Sequence, residues 1–295
     1  MDVDNSSSIK QQRTAIVTGS SSGIGLETSL LLSRNGIYTY ATMRDLVKSR
    51  EVLDVATKED LPLRTLYLDV TNKKSIQEAI DMVLKERKRI DILINNAGYS
   101  LVGAFEQLFI DEIKEEFDTN FFGAIELMQR ILPIMRKQRS GRIVNISSVA
   151  GRIGFPLSSA YVGSKFALEG LSESLKYEVD DFGIKVILIE PGVIKTNFDK
   201  NLKIGKRVNV PENSTDKGTS PYVKITQKRI SAFKPRFEKG SSPREVADTI
   251  LGAVTSAAPH FRNLVGEDAH KLMYMKRIVS HEEFGKIVMK SVLGE

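Results

Sequence analysis

The chain has 295 residues, 41% of them hydrophobic and 27% charged, with a formal net charge of +6 and a sequence pI near 9.2. That length suits one large α/β domain with a substantial core. There is no cysteine, which excludes disulfides, thiolate metal sites, iron–sulfur clusters and thiol catalysis.

Residues 1–12 read as a disordered tail, followed by one domain over 13–269 and a helical extension over 270–295. The polar, acidic start at Met1–Ser8 has neither the basic nor the apolar region of a secretory signal. No apolar run approaches the ~20 residues that span a bilayer, so a cytoplasmic protein is expected. Thr14–Thr18 is an apolar strand that runs into Gly19-Ser20-Ser21-Ser22-Gly23-Ile24-Gly25 and then an amphipathic helix. Strand, glycine-rich turn and helix in succession make a phosphate cradle. The glycines admit a ligand to the backbone, and the helix N-terminus supplies free N–H groups and partial positive charge. Asn35-Gly36 ends that helix in a left-handed cap.

The second strand, Ile37–Thr42, is followed by Met43-Arg44-Asp45. In dinucleotide-binding sheets the tip of this strand meets the adenosine ribose. An acid there accepts the 2′-hydroxyl, and an arginine suits a 2′-phosphate. No carboxylate occupies this tip, and Arg44 can pair with a phosphate bidentately. NADP(H) is therefore favoured over NAD(H), the alternative being Asp45 as the ribose ligand. A third strand, Arg64–Val70, ends in Asp69, with Thr71-Asn72 as cap candidates for the charged helix over 74–89. The fourth, Ile90–Ile94, leads to Asn95-Asn96-Ala97-Gly98, whose small residues let backbone lie against a ligand. One long helix over about 111–139 holds Asn120.

The fifth strand, Arg142–Ile146, ends in Ser147-Ser148. Tyr161 and Lys165 follow, four residues apart on one helix face. An ammonium beside a phenol is expected to pull the phenol below its usual pKa of about 10. Such a phenol gives a proton to a carbonyl oxygen or takes one from an alcohol, and Ser148 at a strand's carboxyl end can hold the same oxygen. A sixth strand, Lys185–Glu190, opens into Pro191-Gly192-Val193-Ile194-Lys195-Thr196. Residues 197–240 hold eleven Lys/Arg against four Asp/Glu. They read as one or two short helices in a flexible, solvated basic lid over the site. Ser242-Pro243 starts another helix, and Arg262–Gly266 is the seventh strand. His260, His270 and His281 have no zinc-like spacing and read as surface residues. The Met-rich stripe over 270–290 reads as packing on the core or a partner subunit, with a weak membrane contact as the other reading.

The motifs Thr18-Gly19-x-x-x-Gly23-x-Gly25, Asn95-Asn96-Ala97-Gly98, Asn145-Ile146-Ser147-Ser148, Tyr161-x-x-x-Lys165 and Pro191-Gly192-x-x-x-Thr196 occur in that order. In them the chain resembles the short-chain dehydrogenase/reductase family over about residues 14–269. The resemblance implies a doubly wound α/β Rossmann fold with a seven-stranded parallel sheet, order 3-2-1-4-5-6-7, and right-handed crossovers. It implies a catalytic set of Asn120, Ser148, Tyr161 and Lys165, with Asn120 distorting its helix so that its carbonyl holds a relay water beside the lysine. It implies a nicotinamide cofactor held by Gly19, Ser21, Ser22, Gly23, Ile24 and Gly25 at the phosphates and by Arg44, Asp69 and Val70 at the adenosine. Asn96, Ala97, Gly98, Tyr161 and Lys165 would meet the nicotinamide ribose, and Pro191, Gly192, Ile194 and Thr196 the carboxamide. No metal is implied. Helices 111–139 and 158–181 would pair copies into a dimer or tetramer, with Phe121, Phe122 and Leu127 as apolar surface.

Within the family, Thr42–Asp45 and Val265–Ala269 are most similar to the hydroxysteroid and retinol dehydrogenase branch, which takes hydrophobic substrates. The reaction implied is NADP(H)-dependent interconversion of a carbonyl and an alcohol. One alternative is a 3-oxoacyl reductase acting on a carrier or CoA thioester, with an acidic carrier docked on the basic lid. Another is a cofactor-sensing regulator or nucleic-acid binder using that lid. It is less favoured, because a sensor does not need the full catalytic set.

Overall fold

The apolar runs become strands of a parallel sheet whose central strands are buried on both faces. The computed structural model describes residues 12–196, 202–208 and 221–293. The expected tail at residues 1–11 lies outside these, as do residues 197–201 and 209–220 of the expected lid. The strands are β1 (Thr14–Thr18), β2 (Tyr38–Met43), β3 (Leu63–Tyr67), β4 (Ile92–Asn95), β5 (Ser100–Val102), β6 (Gly141–Ile146), β7 (Ile184–Pro191), β8 (Leu202–Ile204) and β9 (Arg262–Val265). The helices are α1 (Gly23–Arg34), α2 (Arg50–Lys58), α3 (Lys73–Arg87), α4 (Ile110–Phe117), α5 (Gly123–Gln138), α6 (Ser159–Val179), α7 (Val223–Glu238), α8 (Pro243–Thr255), α9 (Glu267–Ile278) and α10 (His281–Leu293).

The main sheet has seven strands in the order β3-β2-β1-β4-β6-β7-β9, all parallel. This is the expected order once β5 and β8 are set aside. Those two pair with each other, Ser100 beside Leu202 and Val102 beside Ile204. Runs of three residues are too short to show alternation in a sequence. Alternate side chains of β1 serve opposite faces. Ile16 packs with Ile80 of α3, Leu127 and Ile131 of α5 and Leu168 of α6. Ala15 and Val17 pack with Leu32 of α1 and Val246, Ile250 and Val254 of α8. Each such Leu or Ile contributes roughly 1.5–3 kcal/mol by leaving water. β1 has β2 on one side and β4 on the other, so the chain reverses its winding there. A crevice opens at the carboxyl ends of these strands.

Three expectations need correction. The helix over 111–139 is not continuous: α4 and α5 are joined by a π-helical turn over Asp118–Phe122. Leu127 is fully buried and offers no surface for pairing, whereas Phe122 and Phe166 are exposed. The third correction is in the lid, where Arg229 is buried. The Met-rich extension packs on the domain. Leu272, Met273, Phe284, Val288 and Val292 of α9 and α10 form a cluster with Ile153. All three histidines are exposed. Among the described residues no helix is long and apolar enough to cross a membrane.

Candidate active site

A cavity of about 500 Å³ lies at the carboxyl ends of the strands. Its floor is the glycine-rich turn. Gly19 has φ +69°, and a Cβ there would stand 2.9 Å from Ala97 Cα, so both conformation and space require glycine. Ser21, Ser22, Gly23 and Ile24 also line the cavity. Ser22 is the N-cap of α1 but makes no side-chain cap bond, and the first turn holds no acid. The helix N-terminus is thus left without an internal acceptor, as an anion site requires. Gly25 lies beneath the turn, outside the cavity wall, where a Cβ would come within 2.6 Å of Asn96 Nδ2. Asn96 holds the cradle together. Its Nδ2 donates to Thr18 O at 2.8 Å and Gly19 O at 3.1 Å, and its own N–H donates to Thr18 Oγ1 at 2.9 Å.

At the far end of β2, Arg44 is exposed in the cavity wall. Met43 points into a cluster with Leu26, Leu30 and Val52 and is 3% exposed. Asp45 lines the same wall. Its carboxylate accepts from Val47 N at 3.0 Å and pairs with Lys48 at 3.9 Å. Lys48 itself joins Arg44 in the wall. Its place was not among the expected cofactor contacts, although a cation three residues after an Asx cap returns to the same side of a tight turn. Asp69 and Val70 line the wall as expected. The Asp69 carboxylate accepts from the backbone and hydroxyl of Thr71 at 2.9 and 2.8 Å, and Asn72 is the cap of α3.

β6 and α6 bring Ser148, Tyr161 and Lys165 into one stretch of wall. Lys165 Nζ stands 5.7 Å from the Tyr161 ring centroid and donates to Ile146 O at 2.8 Å. Ser148 Oγ accepts from Ala150 N at 3.1 Å and donates to Pro191 O at 3.3 Å. The expected depression of the Tyr161 pKa is reversed. Burial pushes the phenol up to about 12, against a hydrogen bond with Ser148, and the Glu116 charge adds to the rise. Burial also draws Lys165 down to about 8, opposed by Glu116 and Glu169. Both groups have lost water, and the ammonium donates to a carbonyl, so burial outweighs its pull on the resting phenol.

Asn120 lies in the π turn. Its Oδ1 accepts from Tyr99 N at 3.0 Å, and its Nδ2 donates to Tyr99 O at 2.9 Å and Ser164 Oγ at 3.2 Å. It is absent from the large cavity. It shares a second cavity of about 10 Å³ with Lys165, Thr18 and Asn95, about the space of one water. One turn earlier stands Glu116, fully buried, which the sequence reading also missed. Its Oε1 accepts from Leu101 N at 2.9 Å, and its Oε2 has no partner. Burial pushes its carboxyl from 4.5 up to about 8. A raised carboxyl pKa means that its contribution to stability is complete below pH 4.5 and lost as pH rises through 8. Glu116→Gln keeps the acceptor and removes the charge. It should raise Tm at pH 9 by the equivalent of about 2 kcal/mol, and thermal melts of the two proteins should converge below about pH 5.

Beyond β7, Pro191, Gly192, Ile194 and Thr196 line the cavity. Gly192 abuts the Asp268 carboxylate, leaving no room for a side chain. Asp268 Oδ2 accepts from Val193 N at 2.8 Å, and a bridge between Ile194 and Ser241 ties the turn to the segment before α8. From the lid, Arg229, Arg236 and Phe237 enter the wall. Arg229 is only 8% exposed, so this part of the basic segment is not solvated.

A family model described as short chain dehydrogenase matches residues 13–207. Over 256 residues the chain is 37% identical to a 3-ketodihydrosphingosine reductase of Bacteroides thetaiotaomicron, covering 87% of this chain and 88% of that protein. Over 257 residues it is 38% identical to retinol dehydrogenase 8 of Homo sapiens, covering 85% and 80%. A solved short-chain dehydrogenase from Streptomyces avermitilis superposes with a TM-score of 0.78 at 30% identity, over 93% of this chain and 96% of that one.

Proposed function

The chain belongs to the short-chain dehydrogenase family, an oxidoreductase family of alcohols and carbonyls, and from that membership we propose an NADP(H)-preferring reductase or dehydrogenase with Tyr161 as general acid and base. One observation carries the reading. Ser148, Tyr161 and Lys165 stand in the wall of the same cavity that receives the uncapped N-terminus of α1. A dinucleotide fits this chain: the turn at Gly19 has no side chain to fill the cradle, and cations stand where a ribose phosphate would lie.

When bound, the nicotinamide supplies or accepts the hydride. The residues do the rest. The α1 N-terminus and the Gly19–Ile24 turn hold the pyrophosphate, Arg44 and Lys48 the 2′-phosphate, and Pro191–Thr196 the carboxamide. Ser148 donates its hydroxyl to the substrate oxygen. Tyr161, protonated at neutral pH by its burial, gives that oxygen a proton in reduction; in oxidation it first passes its own proton toward Lys165 and then takes one as the phenolate. Lys165 and the small cavity beside Asn120 resupply it. α7, α9 and α10 cover the cavity, and Phe155, Leu272 and Val292 in its wall suit an apolar substrate body. The names of the two relatives, a sphingoid ketone reductase and a retinol dehydrogenase, agree with such a body. Self-association as a dimer or tetramer would use the surface around Phe122 and Phe166, which are exposed.

The cofactor choice is tested at Arg44. Two charge-assisted bonds to a phosphate, reduced by exposure, should favour NADPH over NADH by about 10- to 100-fold, or 1.4–2.8 kcal/mol. Arg44→Ala should weaken NADPH by about tenfold and leave NADH within a factor of about two. Dissociation constants by fluorescence titration decide the matter. Equal affinities in the wild type would return the ribose to Asp45. Replacing Met43 by an acid is no test, because its side chain is buried among leucines.

A further inference from the structure

Two guanidinium groups end in the wall of the large cavity. Arg229 and Arg236 stand seven residues apart on α7, two turns along one face, and both line the cavity with Phe155, Leu272 and Val292. Arg229 Nη1 donates to the carbonyl of Pro156. That residue lies in the loop joining Ser148 to Tyr161, so α7 meets the cavity on its catalytic side. Arg236 Nη1 donates to Ser291 O of α10 at 2.5 Å. Both acceptors are neutral. Among the described residues no carboxylate is paired with either guanidinium. Asp268, whose charge acts on Arg236, already accepts from the Val193 amide at 2.8 Å.

Burial and the charge of Arg236 bring Arg229 down to about 10, so it is still a cation at neutral pH. A buried cation without a counter-charge costs several kcal/mol, and folded proteins rarely keep one unpaired. A guanidinium also presents five N–H donors in a planar fork that matches a carboxylate or phosphate, and each of these two commits one N–H to a carbonyl.

We propose that the substrate supplies the missing charge: it is a carbonyl or alcohol compound with an apolar body and a terminal oxyanion, received by Arg229 and Arg236. The apolar body lies against Phe155, Leu272 and Val292. This rests on the oxidoreductase reading above and narrows its substrate class. It also turns these two cations inward, away from any nucleic-acid surface.

The test is NADPH-dependent reduction, aldehyde to alcohol, of a homologous series of ω-oxo carboxylates, their methyl esters and the matching ω-oxo alkyl phosphates. At the best chain length an oxyanion should exceed the ester in kcat/KM by about tenfold or more, as for a gained charge-assisted hydrogen bond. Whether carboxylate or phosphate leads identifies the headgroup. Arg229→Met and Arg236→Met should each bring the anion-to-ester ratio down by about tenfold, through KM rather than kcat. Arg236→Met carries the test if Arg229→Met, which also loses its hold on Pro156, fails to fold. Independently, calorimetric titration with laurate, which cannot be reduced, should show binding that salt weakens and both variants lose. A ratio near one that neither variant changes overturns the proposal and leaves the carbonyl reductase reading standing. Failure to reduce any aldehyde overturns that reading instead, and the laurate titration then decides the anion site by itself.

Discussion

Tyr161→Phe should lower turnover by about 10²-fold or more on any accepted carbonyl substrate, while the dissociation constant for NADPH stays close to that of the wild type. Phenylalanine keeps the ring, so the packing of α6 survives. Lys165 keeps its bond to Ile146 O at 2.8 Å, and nothing in the cradle at Gly19 changes. What is lost is the one proton poised beside Ser148. The pH profile sharpens the test. Burial holds the phenol near 12, so it stays protonated through the working range. Burial holds Lys165 near 8, so its charge is present below pH 8 and lost above it. Reduction needs that charge to support the phenolate it leaves behind, so the wild-type rate should fall as pH rises past about 8. The residual rate of the variant should show no such limb. Steady-state rates over pH 6–10 check both statements. Turnover within a few-fold of wild type, with the alkaline limb intact, would remove Tyr161 from the chemistry.

The parts of this molecule that were legible in the sequence are those with local requirements. Central parallel strands must be largely apolar on both faces, so β1, β4, β6 and β7 read as apolar runs, interrupted by Arg142 and Asn145 in β6 and by Lys185 and Glu190 in β7. A cradle that meets backbone needs glycine at Gly19, and that need shows without knowledge of the rest of the fold. Tyr161 and Lys165 share a face because both lie in one regular helix. The parts that were not legible depend on surroundings. The resemblance implied a distortion at Asn120, but not that the π turn over Asp118–Phe122 inserts a residue and rotates everything after it by about 100°. Leu127, placed on the surface of an unbroken helix, therefore belongs to the core. The direction of the Tyr161 shift depends on desolvation, which no spacing encodes. The same holds for the basic segment. Eleven cations over residues 197–240 do not reveal that Arg229 turns inward, nor does the sequence around Asn120 reveal that Glu116 loses all contact with water.

Arg262→Met should destabilise the protein by roughly 3–5 kcal/mol near pH 8.5, the cost of leaving buried acids without a partner. Arg262 leaves the end of β9 and reaches Glu169 of α6 at 2.9 Å and Glu190 of β7 at 3.7 Å. Both acids are almost fully buried. Without Arg262, only Arg152 remains against Glu190, at 3.1 Å, and Glu169, whose Oε1 already has no partner, loses its bond. Burial and the Glu190 charge push Glu169 from 4.5 up to about 7, opposed by a hydrogen bond with Ser147 and by Arg262 and Arg152. Its folded pKa is thus raised, so its contribution to stability is complete below pH 4.5 and lost as pH rises through 7. Removing Arg262 raises that pKa further. The deficit of the variant should therefore be small near pH 5, where Glu169 is protonated in both proteins, and full above about pH 8. For a domain of this size that is roughly 5–8 °C in Tm at the alkaline end. Activity should follow, because Glu190 leads directly into Pro191-Gly192 and Arg152 lies in the loop after Ser148, so the cluster ties together two parts of the cavity wall. Scanning calorimetry of wild type and variant at pH 5.5 and 8.5 measures it. Equal Tm values at pH 8.5, or a deficit that grows on acidification, would show that these acids do not depend on Arg262.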